Sequence, residues 1–217
     1  MVAEGVFSTG RKSSYCTVDD VRKVLGGYDL SAYADVEGLE ARIQELLPGT
    51  REAVDQYAGR DFFRHEETTV TLDGSGTDRL QLAEAGARPP VSVQAVTVAG
   101  QTLGPEEWCA YGSVGTVRLT GKSSLARFPT GAQNVTVALS WGYEAIPEVV
   151  IHAQAKITAA ELLGEAGGEA GEVTATRIGD YAVSYGREGR HAGVVARLCE
   201  EAREALAAFR VVRMRAV

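Results

Sequence analysis

Apolar positions along this chain change period twice, and those changes divide it. Thr17-Val18-Asp19-Asp20 reads as an N-cap followed by an acidic first turn, opening a short helix through Val21, Val24 and Leu25 that Gly26-Gly27 stops. A longer helical pattern follows, with Leu39, Ile43, Leu46, Leu47, Ala53, Val54 and Tyr57 recurring at steps of three and four. Pro48 should kink or split it, because proline removes an N–H and clashes with the preceding turn. Gly59 is its expected terminator, since glycine adopts the left-handed capping conformation at little cost.

Alternation then replaces the helical period. Thr68, Val70 and Leu72 precede Asp73-Gly74-Ser75-Gly76, and Leu80 and Leu82 follow it, a pattern that predicts a hairpin. Val91, Val93, Val96 and Val98 predict a strand ending near Gly100, and further strands are expected at Trp108 to Tyr111, Val117 to Thr120 and Val135 to Trp141. Pro147 is placed to be the first residue of a helix continuing through Val150, Ala153, Ile157 and Ala160. The run Gly164 to Glu172 predicts a flexible acidic loop, and a short hairpin should turn at Gly179-Asp180. The last helix sets Val195, Leu198, Ala202, Ala205, Leu206 and Phe209 on one stripe.

The elements define an α+β fold, a helical core with a strand-rich insertion between the second and third main helices. Residues 15–62 and 144–210 would form the core, 63–143 the insertion, and 1–14 and 211–217 the tails. Trp141, Tyr143 and Ile146 are expected to pack the strand insertion against the helical core, with Gly142 permitting the turn and Pro147 fixing the helix start.

Composition narrows the function. The 217 residues carry 22 Lys and Arg against 29 Asp and Glu, a net charge of −7 that argues against gripping nucleic acid by a dominant basic surface. Residues 1–14 include charge and lack the apolar run of a signal peptide, so the cytoplasm is the expected place of synthesis and no membrane role is expected. Cys16, Cys109 and Cys199 form no closely spaced pair, which predicts idle thiols and no disulfide or zinc site.

Apparent catalytic motifs dissolve on spacing. Gly121-Lys122-Ser123 resembles the end of a phosphate-binding loop, but Thr116 stands where that loop needs glycine, so a strand-to-loop turn is expected. Asn134-Val135-Thr136 matches a glycosylation acceptor inside a strand pattern and reads as chance. His65, His152 and His191 are scattered and accompany no nucleophile turn. No catalytic, cofactor or metal residue is assigned.

The ordered succession of a Thr17-capped helix, Tyr57-x-Gly59-Arg60-x-Phe62, Asp73-Gly74, Leu80-x-Leu82, Pro90-Val91-x-Val93, Asn134-Val135-x-Val137 and Trp141-Gly142-Tyr143-x-x-Ile146-Pro147 resembles the tailed-phage head-tail connector proteins, the gp6-like adaptor family. The resemblance covers about Tyr15 to Arg210. It implies a non-enzymatic virion protein of the neck, assembled in host cytoplasm as a homo-oligomeric, dodecameric ring below the portal protein. Such a ring would extend the DNA channel, pass DNA without specific binding and dock the downstream neck or tail protein. Two other readings stay open from the residues alone, a different neck or tail binding module and an enzyme whose site is assembled from scattered residues.

After the last helix, Val211, Val212, Met214 and Val217 alternate with Arg213 and Arg215, an extended apolar and basic pattern. The resemblance implies a C-terminal region facing the portal, so these six residues are the expected portal-binding segment. Deleting residues 211–217 should leave circular dichroism and melting unchanged while abolishing co-sedimentation with portal rings. Binding of the truncated chain at full-length affinity would remove the assignment.

Overall fold

The computed structural model describes residues 14–28, 30, 33, 35–85, 87, 89–167, 173–178, 180–186 and 189–210. The fold is α+β and divides into two compact units, one formed by Met1–Arg60 with Pro147–Val217 and the other by Asp61–Ile146.

In the first unit, α1 (Val18–Leu25) begins with a complete capping box: Thr17 accepts from the Asp20 N–H, and the Asp20 carboxylate accepts from the Thr17 N–H. Helix α2 (Val36–Ala58) is capped by Asp35 and ends at Gly59 in the left-handed conformation, φ 69°. Pro48 lies inside α2, which continues through it as one helix, so of the two expected outcomes the split does not occur. Side chains brace the chain around it: Thr50 Oγ1 donates to the Leu46 carbonyl at 3.2 Å, and Gln154 Nε2 donates to the Leu47 carbonyl at 2.8 Å.

The second unit comes next along the chain. Its strands are β1 (His65–Gly74), β2 (Arg79–Gln81), β3 (Val91–Val98), β4 (Gln101–Thr102), β5 (Trp108–Tyr111), β6 (Thr116–Leu119) and β7 (Gly131–Trp141). They form two antiparallel sheets, β1-β7-β3-β4 and β2-β6-β5, whose side chains share one apolar core including Leu72, Leu80, Val96, Val117, Phe128 and Val137. The expected hairpin between Thr68–Leu72 and Leu80–Leu82 is not formed. β1 pairs with β7 and β2 with β6, and Leu82 starts a short 3-10 helix, Leu82–Ala85. Polar groups at the end of β1 are taken by β7 instead: the Gly74 N–H donates to Asn134 Oδ1 at 2.7 Å and the Gln133 N–H to Asp73 Oδ1 at 2.7 Å. Asn134 is thus committed inside the fold, its amide also donating to the Pro129 carbonyl.

Back in the first unit, α3 (Glu148–Ala166) packs against α1, α2 and, later in the chain, α4 (Ala192–Ala207). Ala153, Ala155, Ala159 and Ala160 on it are all buried, so small side chains let its neighbours approach closely. Pro147 sits one position earlier than expected, as the N-cap, its carbonyl accepting from Val150 and Ile151. The helix also runs past Gly164, the first residue of the expected acidic loop. The strands β8 (Val173–Ile178) and β9 (Tyr181–Gly186) form the expected hairpin, and a Cβ on Gly164 would lie 2.9 Å from the Ser184 carbonyl oxygen of β9. Gly164 is a packing glycine rather than a stop. Of the predicted acidic loop, residues 168–172 lie outside the described residues.

Gln154 is the buried polar centre of this unit. Its Oε1 accepts from the Tyr15 N–H at 2.7 Å and the Cys16 N–H at 3.2 Å, while its Nε2 reaches the Leu47 carbonyl and Thr50 Oγ1. Thr50 in turn shares a 2.9 Å hydrogen bond with Thr158 on α3. A buried group stripped of its partner costs about 1–3 kcal/mol. Gln154→Leu withdraws both an acceptor and a donor, so urea unfolding should show a loss of about 3 kcal/mol; a loss within error of zero would remove the amide from this role. In the second unit, Trp141 is half-buried and stacked on His65 at 3.8 Å between ring centroids. Trp141→Ala should cost about 2–3 kcal/mol, below the full core value because one face is open. Unchanged melting would show that the stack contributes nothing.

Candidate functional site

The motif residues singled out from sequence fall into separate local groups. In the first unit Gly59 closes α2, the Arg60 N–H donates to the Asp55 carbonyl at 3.1 Å, and the Arg210 guanidinium lies 5.6 Å from the centre of the Tyr57 ring. In the second unit Phe62 is fully buried and stacks on Tyr143 at 5.8 Å. Gly142 has φ 89°, and a Cβ there would fall 1.9 Å from the Phe63 carbonyl oxygen, so only glycine fits. Val211, Val212, Arg213, Met214, Arg215 and Val217 lie outside the described residues.

The titratable groups are arranged for structure. His65 Nε2 sits 2.9 Å from Asp61 with its ring on Trp141, and His191 is buried with its ring edge-on to Tyr28. Burial pushes the Cys16 and Cys199 thiols up to about 11, which keeps them protonated and unreactive at neutral pH. Glu161 accepts from the Tyr181 hydroxyl, and burial raises its carboxyl above the usual range. Glu165, one turn on, accepts from the Tyr33 hydroxyl at 2.9 Å and from Arg42 Nε at 3.1 Å. The described residues contain no group of three His, Cys, Asp or Glu suited to a metal ion. None of their helices is long and apolar enough to cross a membrane.

A different face carries the features of a binding surface. Along β2, β6 and β5 the side chains alternate between the core and solvent. Leu80, Val117 and Leu119 point inward and are buried, whereas Arg79, Gln81, Arg118 and Tyr111 point outward. The outward positions make two rows: Arg79, Arg118 and Cys109 in register, then Gln81, Thr116 and Tyr111 two residues along. These side chains, without Cys109, join Val114 from the β5–β6 turn to line an open groove of about 320 Å³.

Two arginines stand directly opposite each other in this face, an arrangement that destabilises a strand pair. Asp78 partly offsets it, accepting from Arg118 Nε at 2.7 Å and lying 3.9 Å from Arg79 Nε. The Arg118 hydrogen bond holds the Asp78 carboxyl below the usual carboxylate range. Thr116 Oγ1 donates to Gln81 Oε1 at 2.9 Å, fixing the amide beside the arginines. Tyr111 and Val114 are 47% and 62% exposed, far more than apolar side chains of this size in the core. Guanidinium forks, a phenol and an aliphatic side chain can hold a carboxylate flanked by apolar groups. The sequence reading missed this face because its rows exist only once β2 pairs with β6, a long-range pairing that alternation along one strand does not disclose.

No family model matches the chain, and no curated protein matches it. Among solved structures it is similar to a chain of the neck of an empty GTA particle computed with C6 symmetry, at 18% identity over 92% of this chain and 91% of that one, with a TM-score of 0.45.

Proposed function

We propose that this protein is a non-enzymatic structural adaptor of a tailed-phage neck, forming a ring below the portal that extends the DNA channel and docks the next neck protein. The observation that carries the reading is the order of motifs on their elements. A Thr17-capped helix leads to a long helix closed at Gly59, then to a sheet unit entered at Phe62 and left through Trp141-Gly142-Tyr143, and finally to a helix begun at Pro147. That order is the one by which the sequence resembles the gp6-like adaptors.

Physical chemistry supports the same reading. A chain of net charge −7 repels duplex phosphates, so a lumen built from it lets DNA slide through without holding it. The binding face is built for protein contact, with arginine, tyrosine and valine exposed together. The protein would reside in the virion neck and be assembled in host cytoplasm, with the portal, the downstream neck protein and its own copies as partners.

Negative-stain images of the protein mixed with portal rings test this directly. Added ring density on the tail-facing end of the portal is expected, dodecameric by resemblance. Portal particles that look the same with and without the protein would refute the reading.

A further inference from the structure

The β8–β9 hairpin sits on the helices of the first unit through a small set of contacts. Ile178 and Val183 are fully buried. Among the described residues two side-chain hydrogen bonds tie the hairpin to the helices: the Tyr181 hydroxyl donates to Glu161 on α3, and the Arg203 guanidinium on α4 donates to the Arg177 carbonyl. Glu161 and Glu165 stand one turn apart on α3, yet they are paired differently. Glu165 accepts from the Tyr33 hydroxyl and from both Nε and Nη2 of Arg42. Glu161 is half-buried, and among the described residues its donor is a phenol and not a cation.

We propose that the Glu161–Tyr181 contact is a proton-linked latch that seats the β8–β9 hairpin on α3 more firmly in mild acid than at neutral pH. Among the described residues, the groups facing Glu161 are Tyr181 from β9, Glu165 from α3 itself, Arg42 from α2, Tyr33 from the segment before α2 and Cys199 from α4, with Arg203 beside that thiol. Burial raises the Glu161 carboxyl above the usual carboxylate range; the Tyr181 hydrogen bond pulls it back only in part, and the Glu165 charge raises it again. Arg42, already committed to Glu165, offsets little of this. At Glu165 burial acts in the same direction, but the Arg42 and Tyr33 hydrogen bonds outweigh it and hold that carboxyl below the usual range. Burial and Glu161 push the Tyr181 hydroxyl up as well, so it remains a donor through neutral pH.

A carboxyl held above its value in solvent takes up a proton as the hairpin docks. The stabilisation is complete below the ordinary glutamate value of about 4.3 and is lost as pH rises through the raised one. Above that, docking buries a charge whose partner is neutral, which costs free energy. Paired carboxylates act the opposite way in the whole protein. Asp20, Glu165 and Glu201 are held below the usual range and lose their contribution as pH falls. The latch therefore shows in the hairpin and not in the overall melting curve.

Carboxyl NMR and amide hydrogen exchange of the full chain, between about pH 5 and about pH 8, test the latch. The Glu161 resonance should titrate above the ordinary glutamate midpoint. Protection of the hairpin amides, corrected for intrinsic exchange, should rise as pH falls, by no more than about tenfold per pH unit, the limit for one linked proton. Protection of the α3 amides 157–163 should not rise with it. Glu161→Gln keeps an oxygen for the Tyr181 hydroxyl but cannot titrate. Its hairpin protection should be level across this range and, at neutral pH, no lower than that of wild type. A Glu161 midpoint at or below the ordinary value, wild-type hairpin protection that does not rise, or a wild-type rise in Glu161→Gln overturns the proposal. An equal rise in the α3 amides also overturns it, because the proton would then belong to global unfolding. The NMR midpoint is read on wild type, so the test stands even where Glu161→Gln fails to fold.

Discussion

A single buried amide constrains the helical unit. Gln154 lies on α3 with no exposure to solvent, so both ends of its side chain must be satisfied within the protein. Its oxygen takes the N–H groups of Tyr15 and Cys16, and its nitrogen takes the Leu47 carbonyl and Thr50 hydroxyl. The segment before α1, the middle of α2 and the face of α3 are thereby held at one point. That point lies next to Pro48, where a helix is weakest. A leucine of similar size would fill the space but withdraw the acceptor from Tyr15 and Cys16 and the amide donor from Leu47 and Thr50, which is why specificity here comes from polarity and not from volume.

The sheet unit answers to a different constraint, the close approach of backbones to β7. This strand is paired on both sides, with β1 and β3. Two glycines make the crowding bearable: a Cβ on Gly74 would sit 1.7 Å from the Pro129 carbonyl oxygen, and one on Gly142 would sit 1.9 Å from that of Phe63. Registers shift near Glu67 and Gln133, both of which adopt positive φ, so the long pairing of β1 with β7 is bent by local irregularities at its ends. Phe62 and Tyr143 stack beside one of those glycines, which explains why aromatic and glycine positions occur together at both borders of this unit.

What could be read from the sequence follows the range of the interactions. Helix α1 was legible because Thr17 and Asp20 are three residues apart and satisfy each other. The end of α2 was legible because Gly59 alone decides it. The α+β class followed from the change of period, which needs no partner. Pairing was not legible, since Leu72 and Leu80 alternate as a hairpin would while their partners, Val135 and Val117, lie far along the chain. Gly164 misled for the same reason. A glycine near a helix end reads as a terminator, and only the Ser184 carbonyl above it shows that it is there to admit a neighbouring strand. The groove was invisible because Arg79 and Arg118 become a pair only through that same long-range register.

The arginine pair also bears on what kind of surface this is. In a stable, solitary sheet, cross-strand positions select opposite charges or apolar pairs, because each such pair adds a little to the pairing of strands. Here the register sets arginine against arginine, and the relief comes from Asp78, one residue before β2, which is itself partly exposed. Solvent screens that ion pair, so it stabilises the fold little. The neighbouring row exposes Tyr111, and the turn exposes Val114, where burial would have been favourable. Charge and apolar surface thus depart from the local optimum at the same place and on the same face. Folding of the isolated chain gains nothing from either departure, whereas a carboxylate flanked by aliphatic side chains would be favoured by both.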